Sequence, residues 1–193
     1  PSTVNINDEA CFVATGADVL MGRTGNTQTI NLNGGIFDVK GIKPSSIAGT
    51  SVVNFNGGVL RLGETGLAKL GGKVLTLGFP GGTAQGEIQF STANSQIQQD
   101  LSIPAGVDLH LVGNAETKTV VALTGTISGE GRLVVDENVI LDLGTDRGSR
   151  VSGVAVVFEG EHPEVRLLEN VSEDGVLAEI SMSSVRSGFC GIT

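Results

Sequence analysis

Apolar positions along this chain recur in short alternating runs. Val52-Val53-Asn54-Phe55, Val59-Leu60-Arg61-Leu62, Val74-Leu75-Thr76-Leu77, Glu87-Ile88-Gln89-Phe90, Val107-Asp108-Leu109-His110-Leu111 and Val139-Ile140-Leu141-Asp142-Leu143 each stop at or near Gly, Asn or Ser. Alternation places one residue set on a buried face and its neighbours on a wet one, as in short strands between tight turns. No segment keeps apolar residues at i, i+3, i+4 and i+7 for three helical turns. The pattern predicts an all-β protein.

The runs also repeat. Ile30-Asn31-Leu32-Asn33-Gly34-Gly35-Ile36-Phe37-Asp38-Val39 aligns with Val53-Asn54-Phe55-Asn56-Gly57-Gly58-Val59-Leu60-Arg61-Leu62 at an offset of 23 residues. Every apolar position stays apolar, and Asn33, Gly34 and Gly35 match Asn56, Gly57 and Gly58. Asp38 and Arg61 differ, which reads as the free variation of solvent positions. Looser echoes begin at Gly71, Gly106 and Gly129. A recurring strand, Asn-Gly-Gly turn and strand describes one coil of a parallel β-solenoid. Asn and Gly tolerate the left-handed backbone of a sharp corner. Stacking then brings Asn33 near Asn56, where their amides can form a ladder. An antiparallel β-sandwich or jelly roll also uses Asn-Gly turns, but its hairpins need no identity between successive turns. At about 23 residues per coil, the whole length corresponds to about eight coils.

Composition divides the chain. Residues 1–150 hold 24 of the 29 glycines, and residues 151–193 hold 5. The tail carries seven acids against Arg166 and Arg186, so −5 of the net charge of −9 lies there. Val154–Phe158 and Val165–Leu168 still read as strands, with a turn at Glu161-His162-Pro163. A solenoid needs atypical end units. The expected organisation is therefore a glycine-rich solenoid over 1–150 and an acidic C-terminal cap of the same domain over 151–193. The acidic balance argues against nucleic acid and anionic membrane as partners, because both need a basic footprint. No apolar run approaches the ~20 residues of a membrane-spanning helix.

Candidate chemistry is sparse. His110 sits at an outward strand position and His162 in a turn, and neither has the spacing of a triad partner or zinc ligand. Carboxylate pairs such as Asp136 with Asp142, or Asp100 with Asp108, would need ~5–9.5 Å separation to cleave a glycosidic bond. The chain lacks Trp and Tyr, the usual platforms for sugar rings. Asn5-Ile6-Asn7-Asp8-Glu9 lacks the glycine and twelfth-position acid of a calcium loop, and Gly34-Gly35 is followed by no Gly-Lys-Ser/Thr phosphate cradle. The expectation is no catalytic, cofactor-binding or metal residue.

Two phrases carry a family likeness. Gly49-Thr50-Ser51-Val52-Val53-Asn54-Phe55-Asn56-Gly57-Gly58-Val59-Leu60 resembles the autotransporter-associated β-strand repeat of bacterial passenger domains. The stretch 122–133, with Gly125-Thr126-Ile127-Ser128-Gly129-Glu130-Gly131, is similar to another phrase of those repeats. The resemblance covers about residues 30–145 and implies a right-handed β-helix on a bacterial surface. The resulting expectation is a non-enzymatic structural or adhesive module, extracellular or on the cell surface. Its partner would be a host or cell-surface macromolecule, or copies of itself. A filament subunit joined head to tail, and a polysaccharide-acting hydrolase or lyase, are the alternatives.

Cys11 and Cys190 are the only cysteines. A linear solenoid sets them at opposite ends, beyond the ~4.4–6.8 Å Cα separation a disulfide requires. They are expected as free thiols or as halves of an intersubunit bond.

Overall fold

The computed structural model describes residues 2–22, 26–45, 50–70, 75–76, 85–143, 151–160, 164–166 and 191–192. Its strands are β1 (Ser2–Ile6), β2 (Cys11–Met21), β3 (Thr27–Pro44), β4 (Thr50–Leu67), β5 (Leu75–Thr76), β6 (Gln85–Phe90), β7 (Asn94–Ile97), β8 (Leu101–Ile103) and β9 (Asp108–Val112). They continue with β10 (Thr119–Leu123), β11 (Ile127–Gly129), β12 (Arg132–Val135), β13 (Val139–Asp142), β14 (Val151–Ser152), β15 (Ala155–Phe158), β16 (Glu164–Arg166) and β17 (Gly191–Ile192). Among the described residues there is no helix, and every strand pairing is parallel. Parallel pairing throughout excludes the sandwich, whose hairpins are antiparallel. The fold is a parallel β-solenoid of about six turns, with rungs roughly 24 residues apart.

Each turn visits three sides. Side A stacks residues 11–14 of β2, 36–39 of β3 and 59–62 of β4 with β6, β9, β12 and β15. Side B stacks residues 18–21, 41–42 and 66–67 with β7, β10, β13, β16 and β17. On side C, β1, the first half of β3 and the first half of β4 form one stack, and β5, β8, β11 and β14 form another. β14, β15 and β16 stack directly on β11, β12 and β13, so residues just past 150 continue the same three sides. The turn at 161–163, Leu167 and Leu168, and most of the expected cap lie outside the described residues.

The core consists of columns running along the axis. Phe12, Phe37, Leu60, Ile88, Leu111, Val135 and Phe158 stand in register on side A. Val19, Ile42, Leu67, Ile97 and Leu123 do so on side B. Leu101, Ile127 and Val151 do so on side C. Strands alternate because only every second residue can reach this shared interior. The three columns merge into one continuous apolar core.

The 23-residue echo is the observed register, with Ile30 beside Val53, Leu32 beside Phe55, Phe37 beside Leu60 and Val39 beside Leu62. Its Asn-Gly-Gly phrase is a corner. Gly35 and Gly58 have φ of +64° and +80°, a backbone that side chains disfavour. Space matters equally: a Cβ on Gly35 would lie 2.1 Å from the Ala10 carbonyl oxygen, and one on Gly58 2.6 Å from the Gly34 backbone. The asparagines do something else. Asn56 donates to Asn33 and Asn33 to Asn7, both at 2.8 Å, while Asn54 donates to Asn31 and Asn31 to Asn5, both at 2.6 Å. Two parallel amide ladders thus climb the first three coils.

Six turns stand where the uniform 23-residue period predicts about eight. Two causes are visible: residues 167–190 are not described, and some rungs are longer. Val59 pairs with Glu87 and Leu67 with Ile97, registers of 28 and 30 residues, while Thr119 pairs with Val139 at only 20. The strands keep their stacking across these differences.

Candidate functional site

The most organised chemistry on this surface is an outward stripe along side A. The residues between core positions on β3, β4, β6 and β9 come into register as Asp38, Arg61, Gln89 and Val112 in one row. Ile36, Val59, Glu87 and His110 form the row beside it. Arg61 Nη1 lies 3.2 Å from Asp38 Oδ2, and Arg61 Nε donates to Gln89 Oε1 at 2.8 Å. Gln89 Nε2 in turn donates to Glu87 Oε1 at 2.5 Å. Asp38 is only 7% exposed, and its Oδ1 accepts no hydrogen bond. Its charge is therefore balanced chiefly by one guanidinium. One coil beyond His110, Arg132 grips Asp108 with Nε and Nη2, which holds the guanidinium above its ordinary pKa.

Other charged groups follow the same rule of pairing along the axis. Lys43 reaches Asp18 at 2.5 Å, Lys40 reaches Glu64 at 2.7 Å and Lys69 reaches Asp100 at 3.3 Å, in each case between neighbouring coils. Lys118 reaches Glu164 at 3.6 Å, from β10 past β13 to β16. Asp100 is the most elaborately held: its Oδ1 accepts from the Thr126 backbone N–H at 2.9 Å and from the Thr126 hydroxyl at 2.8 Å. Those bonds, with Lys69 adding to them against partial burial, hold its carboxyl below the ordinary carboxylate range. Asp18 is lowered too, first by its bond to Lys43.

The carboxylate pairs suggested by sequence do not form facing couples. Asp100 lies just before β8 and Asp108 opens β9, and each is engaged by its own partner, Thr126 or Arg132. Asp136 directly follows β12, where it caps the turn by accepting from the Asn138 N–H at 2.9 Å, and Asp142 ends β13. His110 is outward and half-buried, beside Glu87 and Val134; His162 lies outside the described residues. Cys11 is an exposed free thiol on β2, and Cys190 lies outside the described residues. Among the described residues, no three His, Cys, Asp or Glu side chains gather as a metal-ligand set.

One reading is overturned. Asp38 and Arg61 are not freely varying solvent positions but opposite charges placed in register, with Asp38 buried. The aligned repeats already set the two side by side. What they could not reveal was Gln89 and Glu87, because the next rung is 28 residues long rather than 23.

A parallel β-solenoid whose outward charges brace one coil against the next is the class that this fold and stripe define. The chain matches no family model, no curated protein and no solved structure.

Proposed function

We propose that this chain is a non-enzymatic structural and adhesive module, displayed on a bacterial surface or in a secreted protein. The observation that carries the reading is the outward stripe Asp38–Arg61–Gln89–Glu87, with Arg132–Asp108 beyond it. Hydrolysis or elimination needs an acid and a base aimed together at one bond. Here Asp38 and Asp108 are aimed at guanidinium groups of adjoining coils, and Glu87 at the Gln89 amide of its own strand, which braces coil against coil. The likeness of residues 49–60 and 122–133 to autotransporter-associated β-strand repeats supports the bacterial surface location and an exposed, adhesive role. The acidic charge of −9 favours a protein or neutral glycan partner over nucleic acid.

The test pairs two assays on the full chain. Retention on immobilised host glycans and matrix proteins, together with no release of reducing ends or unsaturated sugars from a polysaccharide panel, is the expected result. Polysaccharide turnover abolished by Asp142→Asn or Asp108→Asn would replace the module with a hydrolase or lyase.

A further inference from the structure

We propose that the Asn-Gly corners of this chain modify themselves: Asn56, and more slowly Asn33, lose ammonia and become aspartate or isoaspartate. The Gly57 backbone nitrogen gives its proton to hydroxide and attacks Asn56 Cγ. The Cγ–Nδ2 bond breaks, and ammonia leaves with a proton taken from water. A second water opens the five-membered imide at either carbonyl, so the net change consumes one water and releases one ammonia. Gly34 and Asn33 react in the same way. These are the only asparagines that precede glycine. Glycine has no Cβ to bar approach to its nitrogen, and it allows the bent backbone that closes the ring.

The fold selects the sites and sets their order. The register of β3 on β4 breaks on both sides of Asn33, so both Asn-Gly peptides lie where pairing is interrupted. Asn33 is exposed and Asn56 half-buried, so water reaches each. Asn31 and Asn54 belong to a matching ladder but sit in unbroken register, each followed by a buried core residue, Leu32 or Phe55. Attack requires the side chain to leave its ladder and turn back on its own glycine. Asn33 must release two bonds, one to Asn7 and one from Asn56, both at 2.8 Å. Asn56 must release only its bond to Asn33. Asn56 should therefore react roughly two- to tenfold faster, the effect of one hydrogen bond. Its carboxylate product has no amide proton to give Asn33, and it adds a negative charge to the corner.

These corners share no residue with the outward stripe, so this inference and the proposed function fail independently. The test incubates the full chain in mildly alkaline buffer and follows each asparagine by peptide mapping and mass spectrometry. Isoaspartate, which direct hydrolysis of the side chain does not form, should accumulate first at position 56 and then at 33, with Asn31 and Asn54 intact. Asn7→Ala frees one of the two bonds of Asn33 and should bring its rate up to that of Asn56. In urea, where no ladder survives, the two sites should react alike in wild type, a comparison that holds even if Asn7→Ala misfolds. Absence of isoaspartate at both corners, equal rates in the folded wild type, a ratio unchanged by urea, or comparable conversion of Asn31 or Asn54 would each overturn the proposal.

Discussion

Asn54 donates its side-chain amide to Asn31 Oδ1 at 2.6 Å, and Asn31 passes the same bond on to Asn5. Asn31 is thus both acceptor and donor in a three-member ladder, half-buried on side C. Replacing it removes two hydrogen bonds, whereas replacing Asn54 removes one. Asn31→Ala should cost about 1–3 kcal/mol and Asn54→Ala about half as much. Urea unfolding of both variants checks this, and equal losses would show that the two bonds are not equivalent units.

Glycine replacements should separate corners from open surface. Gly35→Ala forces a Cβ into a left-handed backbone and against the Ala10 carbonyl, so it should cost at least about 1–3 kcal/mol. Gly16 has open space around its missing Cβ and no left-handed φ. Gly16→Ala should be neutral or raise stability by up to about 1 kcal/mol. Thermal unfolding of the two variants gives the comparison directly.

Acid should weaken the solenoid through Asp18 and Asp100. Both folded carboxyls titrate below their unfolded values, so their contribution is complete above about pH 4. As pH falls, the unfolded chain takes up these protons first, and the contribution disappears on passing through the folded values. Asp100→Asn should lower stability at pH 7 and flatten the acid limb. A variant whose urea midpoint falls with pH as steeply as wild type would remove Asp100 from this account.

Side A offers a contrast between buried and exposed charge. Arg61→Met leaves Asp38 buried beside no cation and should cost about 1–3 kcal/mol. Lys40→Met breaks an exposed pair with Glu64 and should leave the unfolding midpoint unchanged. The double variant Asp38→Leu with Arg61→Met should recover part of the Arg61→Met loss, because it removes the stranded charge.

Much of this architecture is written in residues 30–62. There, identical spacing and retained Asn-Gly-Gly corners give the register of β3 on β4 without any structure. The corner chemistry was only partly legible: both glycine and asparagine were candidates for the left-handed backbone, but the glycines take it and the asparagines build ladders. The ladders also reach back to Asn5 and Asn7, which the echo does not include. That rung is 26 residues long and turns at Asp8, whose φ is +48°, in place of a Gly-Gly pair. The stripe beyond Arg61 was illegible for a related reason. A fixed period cannot anticipate a 28-residue rung, because extra residues between strands change the numbering without disturbing the stack.

The axial placement of hydrogen bonds and ion pairs has a mechanical consequence. Each coil adheres chiefly to its two neighbours, so tension on the chain ends would load the interfaces one after another, like a zipper. Each released coil would add about 24 residues of slack, or roughly 80 Å of contour. Rupture should be stepwise and repeated, and the molecule would lengthen coil by coil under load.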